Sequence, residues 1–479
     1  MNSDGSRPRR AVALVLATCL SACTVGPDFQ RPEAPTQDRY DRTESTLPSA
    51  GRGQSQQNLN AATAPAAEWW HAFASPELDD TIAAALAGSP TLEAAQATLA
   101  AANETLAATR GERWPQADLS STASHGNGGI DRRGGRSKRD LYSIGGAVSY
   151  ALDPFGGIRR RVEQEAAFAD LAHADLAAAY LSLTGDVVTA AIDRASAAAE
   201  LAAAEEIVAL DEHNLELVQI SAAAGKSAGT DVLTAEGQLA NDRALLPPLR
   251  QRLDVARHSL AVLTGRTPAD WTPPEFTFQS MQLPVELPLT LPSELVRARP
   301  DIVAAEAQLH AATAAVGIAT ANLYPSLTLS GSWTSTAEHT SDLFKSDADI
   351  WSIAAGLTAP LFHGGTLRAE RRATIEQLAA TLAQYREVVL QAFGQVADNL
   401  NALAHDAEAL EAQHAALETA RATLDLTQQS YEAGQASFVQ VLIAQRLFQE
   451  ARVGLSRAES ARYLDTALYF LALGGDAIR

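Results

Sequence analysis

The sequence predicts an α+β fold laid out as a tandem repeat, each copy pairing two β-strands with helices that run long and antiparallel. Three observations predict it. Matched sites recur in order at spacings of 208 to 210 residues. Two stretches, Ile158–Ala224 and Thr366–Ala433, hold no proline and one glycine each, Gly185 and Gly394. Four runs of about ten residues alternate apolar or small side chains with polar ones, the period of a strand with one greasy face.

Composition bounds the reading. At 479 residues there is room for several domains or one long repeated fold. A hydrophobic content of 46% excludes a disordered chain, and aromatics at only 6% with abundant alanine favour thin, closely packed helices. The formal net charge of −20 and pI near 4.9 argue against a nucleic-acid partner. Cys19 and Cys23 are the only cysteines, so the body of the chain has no disulfide framework and no cysteine-based zinc site.

The N-terminus reads as a targeting segment. Arg7, Arg9 and Arg10 precede an apolar run from Ala11 to Leu20, too short to span a bilayer, which takes about 20 residues. Leu20-Ser21-Ala22-Cys23 resembles a bacterial lipobox, which makes residues 1–22 a lipoprotein signal peptide and Cys23 the lipidated N-terminus. Several acyl chains on one cysteine anchor firmly, where a single chain binds marginally. Residues 23–67 are rich in Pro, Gly, Ser, Gln and Asn and read as an extended, poorly ordered lipid-anchored segment.

The repeat itself comes next. Trp114-Pro115 matches Tyr324-Pro325, and Ser143-Ile144 matches Ser352-Ile353. Gly156-Gly157 matches Gly364-Gly365, Gly225 matches Gly434, and Val232-Leu233 matches Val441-Leu442. Leu263-Thr264-Gly265 matches Ala472-Leu473-Gly474. Residues 68–275 form the first copy and 276–479 the second, each in the order helix, strand, strand, long helix, tip turn, helix. Helices are expected over 78–110, with Gly88 and Pro90 interrupting, and over 292–322, where Pro300 bends or restarts the helix. Strands are expected near 116–126 and 141–152, then 326–336 and 350–361. The return helices are expected over 231–264 and 438–473.

Four strands cannot close a barrel, because closure needs about eight. Open edges in lipid leave backbone groups unpaired at a cost of several kcal/mol each. Other copies of the chain must therefore complete the sheet. Three chains give an even-numbered barrel, and four satisfy the same physics. The proline-free stretches, at 1.5 Å per residue, would each run roughly 100 Å. Leu403, Leu410, Leu417, Leu424 and Tyr431 recur every seven residues, as do Leu201, Val208 and Leu215, the signature of left-handed coiled-coil packing.

These features resemble the outer-membrane factor (TolC-like) family, and within it the NodT/OprM-like lipoprotein branch of efflux pumps. The resemblance rests on Cys23-Thr24-Val25-Gly26-Pro27-Asp28-Phe29, on Trp69-Trp70 with Phe73, Pro76 and Leu78, and on Leu295 with Arg299-Pro300-Asp301-Ile302. Further matches are Pro154-Phe155-Gly156-Gly157, Leu361-Phe362-His363-Gly364-Gly365, and Tyr431, Gly434, Ser437, Val441, Leu442, Ala444 and Gln445. It implies a homotrimer with a twelve-stranded barrel in the outer membrane and an α-helical barrel in the periplasm. It also implies a periplasmic adaptor and an inner-membrane pump of the resistance-nodulation-division type. Drugs or small solutes then pass through the bore, with no enzyme chemistry, cofactor or metal. A type I secretion duct for proteins and a pore-free periplasmic coiled-coil lipoprotein are the alternatives.

On this resemblance the tip residues Gly225, Ser227, Thr230, Gly434 and Ser437 are expected to dock the adaptor. One departure stands out. Relatives often place an Asp just before the Ala-Gln pair of the second tip, where this chain has Ile443. A hydrophobic constriction through Val439 and Ile443 is expected instead, with Asp425 and Glu432 ringing the bore above it and Arg421 pairing with an acidic neighbour. The ten histidines are scattered, and His310, His405 and His414 read as helix-face residues. Arg159-Arg160-Arg161 reads as a solvated helix start.

Overall fold

A computed structural model describes residues 24–37, 39–40, 57–60, 66–130, 136–225, 227–345 and 348–475. The expected signal peptide, Cys23 and Lys226 of the first tip lie outside the described residues. In chain order the elements are β1 (Asn58–Asn60), a 3-10 turn (Trp69–Phe73), α1 (Pro76–Gly88), α2 (Pro90–Gly111), β2 (Gln116–Ile130) and β3 (Arg136–Leu152). Then come α3 (Gly157–Ala223), α4 (Gly229–Arg243), α5 (Leu246–Leu263), β4 (Glu286–Pro288), α6 (Pro292–Ala298) and α7 (Pro300–Ala321). The chain ends with β5 (Ser326–Ala337), β6 (Asp349–Thr358), α8 (Thr366–Glu432) and α9 (Phe438–Ala472).

Prolines punctuate the helices as backbone chemistry requires. Pro76 opens α1 behind Ser75, whose hydroxyl accepts from Leu78 N at 3.4 Å. Ser89 is extended, and Pro90 starts α2 anew. In the same way Arg299 is extended and Pro300 starts α7. The first return helix departs from expectation. It is not one helix over 231–264 but two, α4 and α5, parted at Ala244-Leu245 ahead of Pro247 and Pro248. Neither proline has an N–H to continue the ladder, so a new helix begins there with proline in its first turn. The second return helix, α9, holds no proline and runs unbroken for 35 residues.

The chain divides into two compact units. The first comprises the described residues of 24–32, 98–172 and 304–386. It carries an antiparallel sheet in the order β2-β3-β5-β6. β2 and β3 outrun the apolar alternation, because backbone pairing continues through Gly126–Arg139 and Asn127–Lys138. β6 stops at Thr358, short of the expected end, just ahead of Pro360. At the foot of the sheet Phe155 stacks on Tyr324 at 4.7 Å.

The second unit comprises residues 33–97, 173–303 and 387–479. Its core gathers Trp69, Trp70, Phe73, Leu78 and Ile82 with Val188, Ile192, Phe276, Leu295, Leu403 and Phe470. Trp69 stacks on Phe470 at 5.6 Å. Gly185 of α3 lies in the same unit, where an added Cβ would come within 2.6 Å of the Leu471 side chain, which would have to shift to admit it. The N-terminal segment is extended but not loose where it is described. Asn58–Asn60 pair in parallel with Glu286–Pro288, and the Tyr40 hydroxyl donates to Thr290 O at 2.7 Å. These contacts order the described parts of a segment expected to be poorly ordered.

Candidate functional site

The sheet sorts its side chains by polarity. Cross-strand register lines up Leu152, Leu327 and Leu357; Tyr150, Leu329 and Ala355; and Gly146, Trp333 and Trp351 on one face. Ala117, Val148, Gly331 and Ile353 complete that face. The opposite face carries Ser149, Thr328, Ser330, Ser332 and Ser352, with the Ser332 and Ser352 hydroxyls 2.9 Å apart. In a soluble protein the apolar face would be covered. Here Trp351 is 70% and Ile353 83% exposed, and every residue of β6 is open to solvent. β2 and β6 also end the sheet, each with one unpaired edge.

The first unit also holds the N-terminal residues. Arg160, in the first turn of α3, is 3% exposed. Its guanidinium donates to Asp28 at 2.6 Å, Glu163 at 2.7 Å and the carbonyl oxygens of Val25 and Gly26. Phe29 stacks on His310 at 4.3 Å, and His310 lies 3.1 Å from Glu163. Arg160 is thus a clasp and not a solvated residue. A basic triplet at a helix start gave no sign of which arginine would be buried.

Both helical tips reverse on glycine. Gly225 (φ 68°) and Gly434 (φ 73°) take left-handed backbone angles that L side chains resist. Gly434 N donates to Tyr431 O and Gln435 N to Ser430 O, satisfying carbonyls at the end of α8. At the start of each next helix a side chain reaches back to the N-cap backbone: Asp231 accepts from Ala228 N at 3.1 Å, and Gln440 from Ser437 N at 2.8 Å. Behind the turns Val218, Ala235 and Phe438 are buried with Leu215, Val232, Tyr431 and Leu442, tying the two hairpins together. Gly225, Thr230, Gly434 and Ser437 are exposed and Ser227 half-buried. An added Cβ at either tip glycine meets nothing within 4 Å.

The five expected constriction residues are not brought to one place. Val439 and Ile443 are 55% and 48% exposed and stand on one face of α9 with Leu447. Arg421 and Asp425 line a cavity of about 840 Å³ between α3, α8 and α9, with Glu206, Arg452 and Glu459. Within it Arg452 pairs with Glu206. Glu432 belongs to a smaller cavity with His213, Tyr431 and Phe438.

Two acid pairs lie in the second unit. Asp211 of α3 faces Asp242 of α4, and Asp406 of α8 faces Asp465 of α9. Burial and then the facing Asp242 push Asp211 well above the usual carboxylate range, against the hydrogen bond from Gln445. Asp406 is raised by burial and Asp465 but lowered by the nearby Arg462. A sequence signal for both existed. Each Asp sits three residues after a heptad leucine or valine, Val208 or Leu403, at a position that a coiled coil normally fills with an apolar side chain.

Comparison with known proteins decides the family. The sequence profile of the outer membrane efflux protein family matches residues 81–266 and 291–475. The chain belongs to the outer membrane efflux protein family. Among this member's relatives, the pyoverdine export outer membrane protein OpmQ of Pseudomonas aeruginosa is 31% identical over 415 residues, 85% of this chain and 87% of that protein. Nodulation protein T of Rhizobium leguminosarum bv. viciae is 30% identical over 463 residues, covering 94% and 90%. Of solved structures, the outer-membrane channel OprN superposes with a TM-score of 0.84 at 29% identity, covering 95% of this chain and all of that one. The open-state MtrE outer membrane channel of Neisseria gonorrhoeae superposes at 0.81 with 26% identity, covering 95% and 99%. The efflux protein is therefore an outer-membrane channel for drugs or other solutes, and the duct for secreted proteins is not favoured.

Proposed function

We propose that three copies of this chain close into one channel, the exit duct of a tripartite efflux system. The observation that carries this reading is the four-stranded sheet, apolar on an uncovered face and unpaired along both edges. Three such sheets supply twelve strands, put the leucine and tryptophan rows against lipid, and line the lumen with Ser and Thr. The long heptad helices then form the periplasmic tunnel, as the family resemblance implies. Cys23 carries the lipid anchor to the outer membrane. The cargo class is small organic solutes, in keeping with relatives named for export of pyoverdine and efflux of toluene. Val439 and Ile443, exposed and apolar on α9, narrow the bore. Arg421 and Asp425 act in the cavity above them.

Purified lipidated protein is expected to run as a trimer in detergent, by light scattering, and to give discrete ion conductance in planar bilayers. A monomer with no conductance overturns the proposal, and a tetramer overturns its stoichiometry.

The tips dock a periplasmic adaptor. The open space around Gly434 lets another backbone approach closely. Replacing it with Trp is expected to lower capture of the adaptor by at least about tenfold, or roughly 1.4 kcal/mol, while the trimer persists. Undiminished capture in a pull-down by trimeric Gly434→Trp protein would remove the tip from the docking surface.

A further inference from the structure

Four helical turns above the first tip, two carboxyl groups are enclosed together. Asp211 is 3% and Asp242 6% exposed, and the amides around them are nearly as buried, Gln445 at 4% and Asn214 at 7%. Gln445 Nε2 donates to Asp211 Oδ1, and Asn214 Nδ2 donates to Gln445 Oε1 at 3.1 Å. Gln238 Nε2 donates to Asp242 Oδ2 at 2.8 Å, and Gln449 Nε2 to Asp242 Oδ1 at 3.4 Å. The remaining oxygen, Asp211 Oδ2, is buried and receives no amide or cationic donor. It faces Asp242.

The nearby cations of α4 and α9 are committed elsewhere. On α3, Glu212 holds Arg243 of α4 at 2.6 Å, and Glu206 holds Arg452 of α9. On α9, Arg446 pairs with Glu450 at 3.3 Å. From α8, Tyr431 and Glu432 reach the cavity lined by Leu210, His213 and Asn214, and bring no cation. Arg421 of α8 lines the cavity that Leu210 reaches, yet among the described residues no guanidinium or ammonium lowers the proton affinity of Asp211. The pair of Asp406 and Asp465 differs in this respect, since Arg462 acts on Asp406. Two bare carboxylates in a buried site repel one another and lack the hydration that stabilises them in water. One proton shared between Asp211 Oδ2 and Asp242 removes the repulsion, supplies the missing donor and leaves a single negative charge for the surrounding amides to hold.

We propose that Asp211 and Asp242 share a single proton and form a latch. With the proton bound, the acids and Gln445 and Gln449 tie α3 and α4 of the first copy to α9 of the second. Proton loss sets two negative charges against each other and loosens the two hairpins just above the tips. The direction follows from the raised affinity of Asp211 for its proton, with a pKa near 8. The latched state holds a proton that a parted, hydrated pair releases in the ordinary carboxylate range. The latch is therefore complete in acid and fails as pH rises through about 8. This inference rests on the channel reading above.

The test is conductance of the full-length trimer in planar bilayers between pH 6 and 9. The wild type is expected to raise its open-to-closed ratio by at least about tenfold across that range. Asp211→Asn and Asp242→Asn replace the proton-bearing carboxyl with a neutral amide, and each is expected to stay latched and flat with pH. Asp406→Asn, at the pair served by Arg462, is expected to keep the wild-type step. Trimer melting temperature identifies any variant that fails to fold. A wild type without a step overturns the latch with no variant needed. So does a step that survives in either Asn variant at the first pair, or one abolished by Asp406→Asn. A protein that conducts at no pH overturns instead the channel reading itself.

Discussion

Ile353→Arg is expected to eliminate the assembled protein from the outer membrane. Ile353 lies mid-strand in β6, paired with Gly331 on the apolar face, and is 83% exposed in the single chain. If that face meets lipid, each arginine near the bilayer centre costs about 2–4 kcal/mol, and a trimer carries the cost three times. The sum rivals the whole stability of an ordinary domain. Ser330→Arg, on the opposite face of β5, puts the same charge where the proposed channel holds water and is expected to assemble normally. Membrane fractionation and unboiled gels measure both. An Ile353→Arg trimer as abundant and heat-resistant as the wild type would show that this face does not meet lipid.

Arg160→Ala is expected to release the N-terminal segment. One buried guanidinium holds four acceptors there: two carboxylates and the carbonyl oxygens of Val25 and Gly26. Alanine leaves Glu163 without its cation and both carbonyls without a donor. Limited proteolysis within residues 27–37 is expected to quicken by about tenfold or more, equivalent to about 1.4 kcal/mol less opening free energy. Arg160→Lys is expected to fall between, because a single ammonium cannot span the positions that a planar fork reaches. Cleavage at the wild-type rate in Arg160→Ala would mean that Phe29, Arg31 and the Val25 N–H bond to Phe155 O suffice to hold the segment.

Much of the architecture was legible because it follows from period. Alternation at Tyr142–Leu152 and Leu327–Trp333 became paired strands, since a two-residue repeat presents one face whatever the surroundings. Sevenfold leucines in proline-free stretches became two 67-residue helices. What sequence did not yield depends on three-dimensional company. Nothing in Arg159-Arg160-Arg161 says that the middle residue meets Asp28, a partner 132 positions away. The parting of α4 from α5 was readable in Pro247-Pro248, yet matching the first copy to the unbroken second one hid it. Arg421 and Asp425 fell in a different cavity from Glu432, because residues seven apart along one helix share a stripe but not necessarily a neighbour. Asp211 and Asp406 were visible as polar intruders at apolar heptad positions, though not their facing acids.

The two prolines of the first return helix reach beyond local geometry. One hairpin of each chain is jointed where its counterpart is a single rod. In the proposed ring of three chains the rim then alternates between jointed and continuous fingers. A collar gripping that rim meets unlike neighbours, and a pull shared equally among them bends the jointed fingers first.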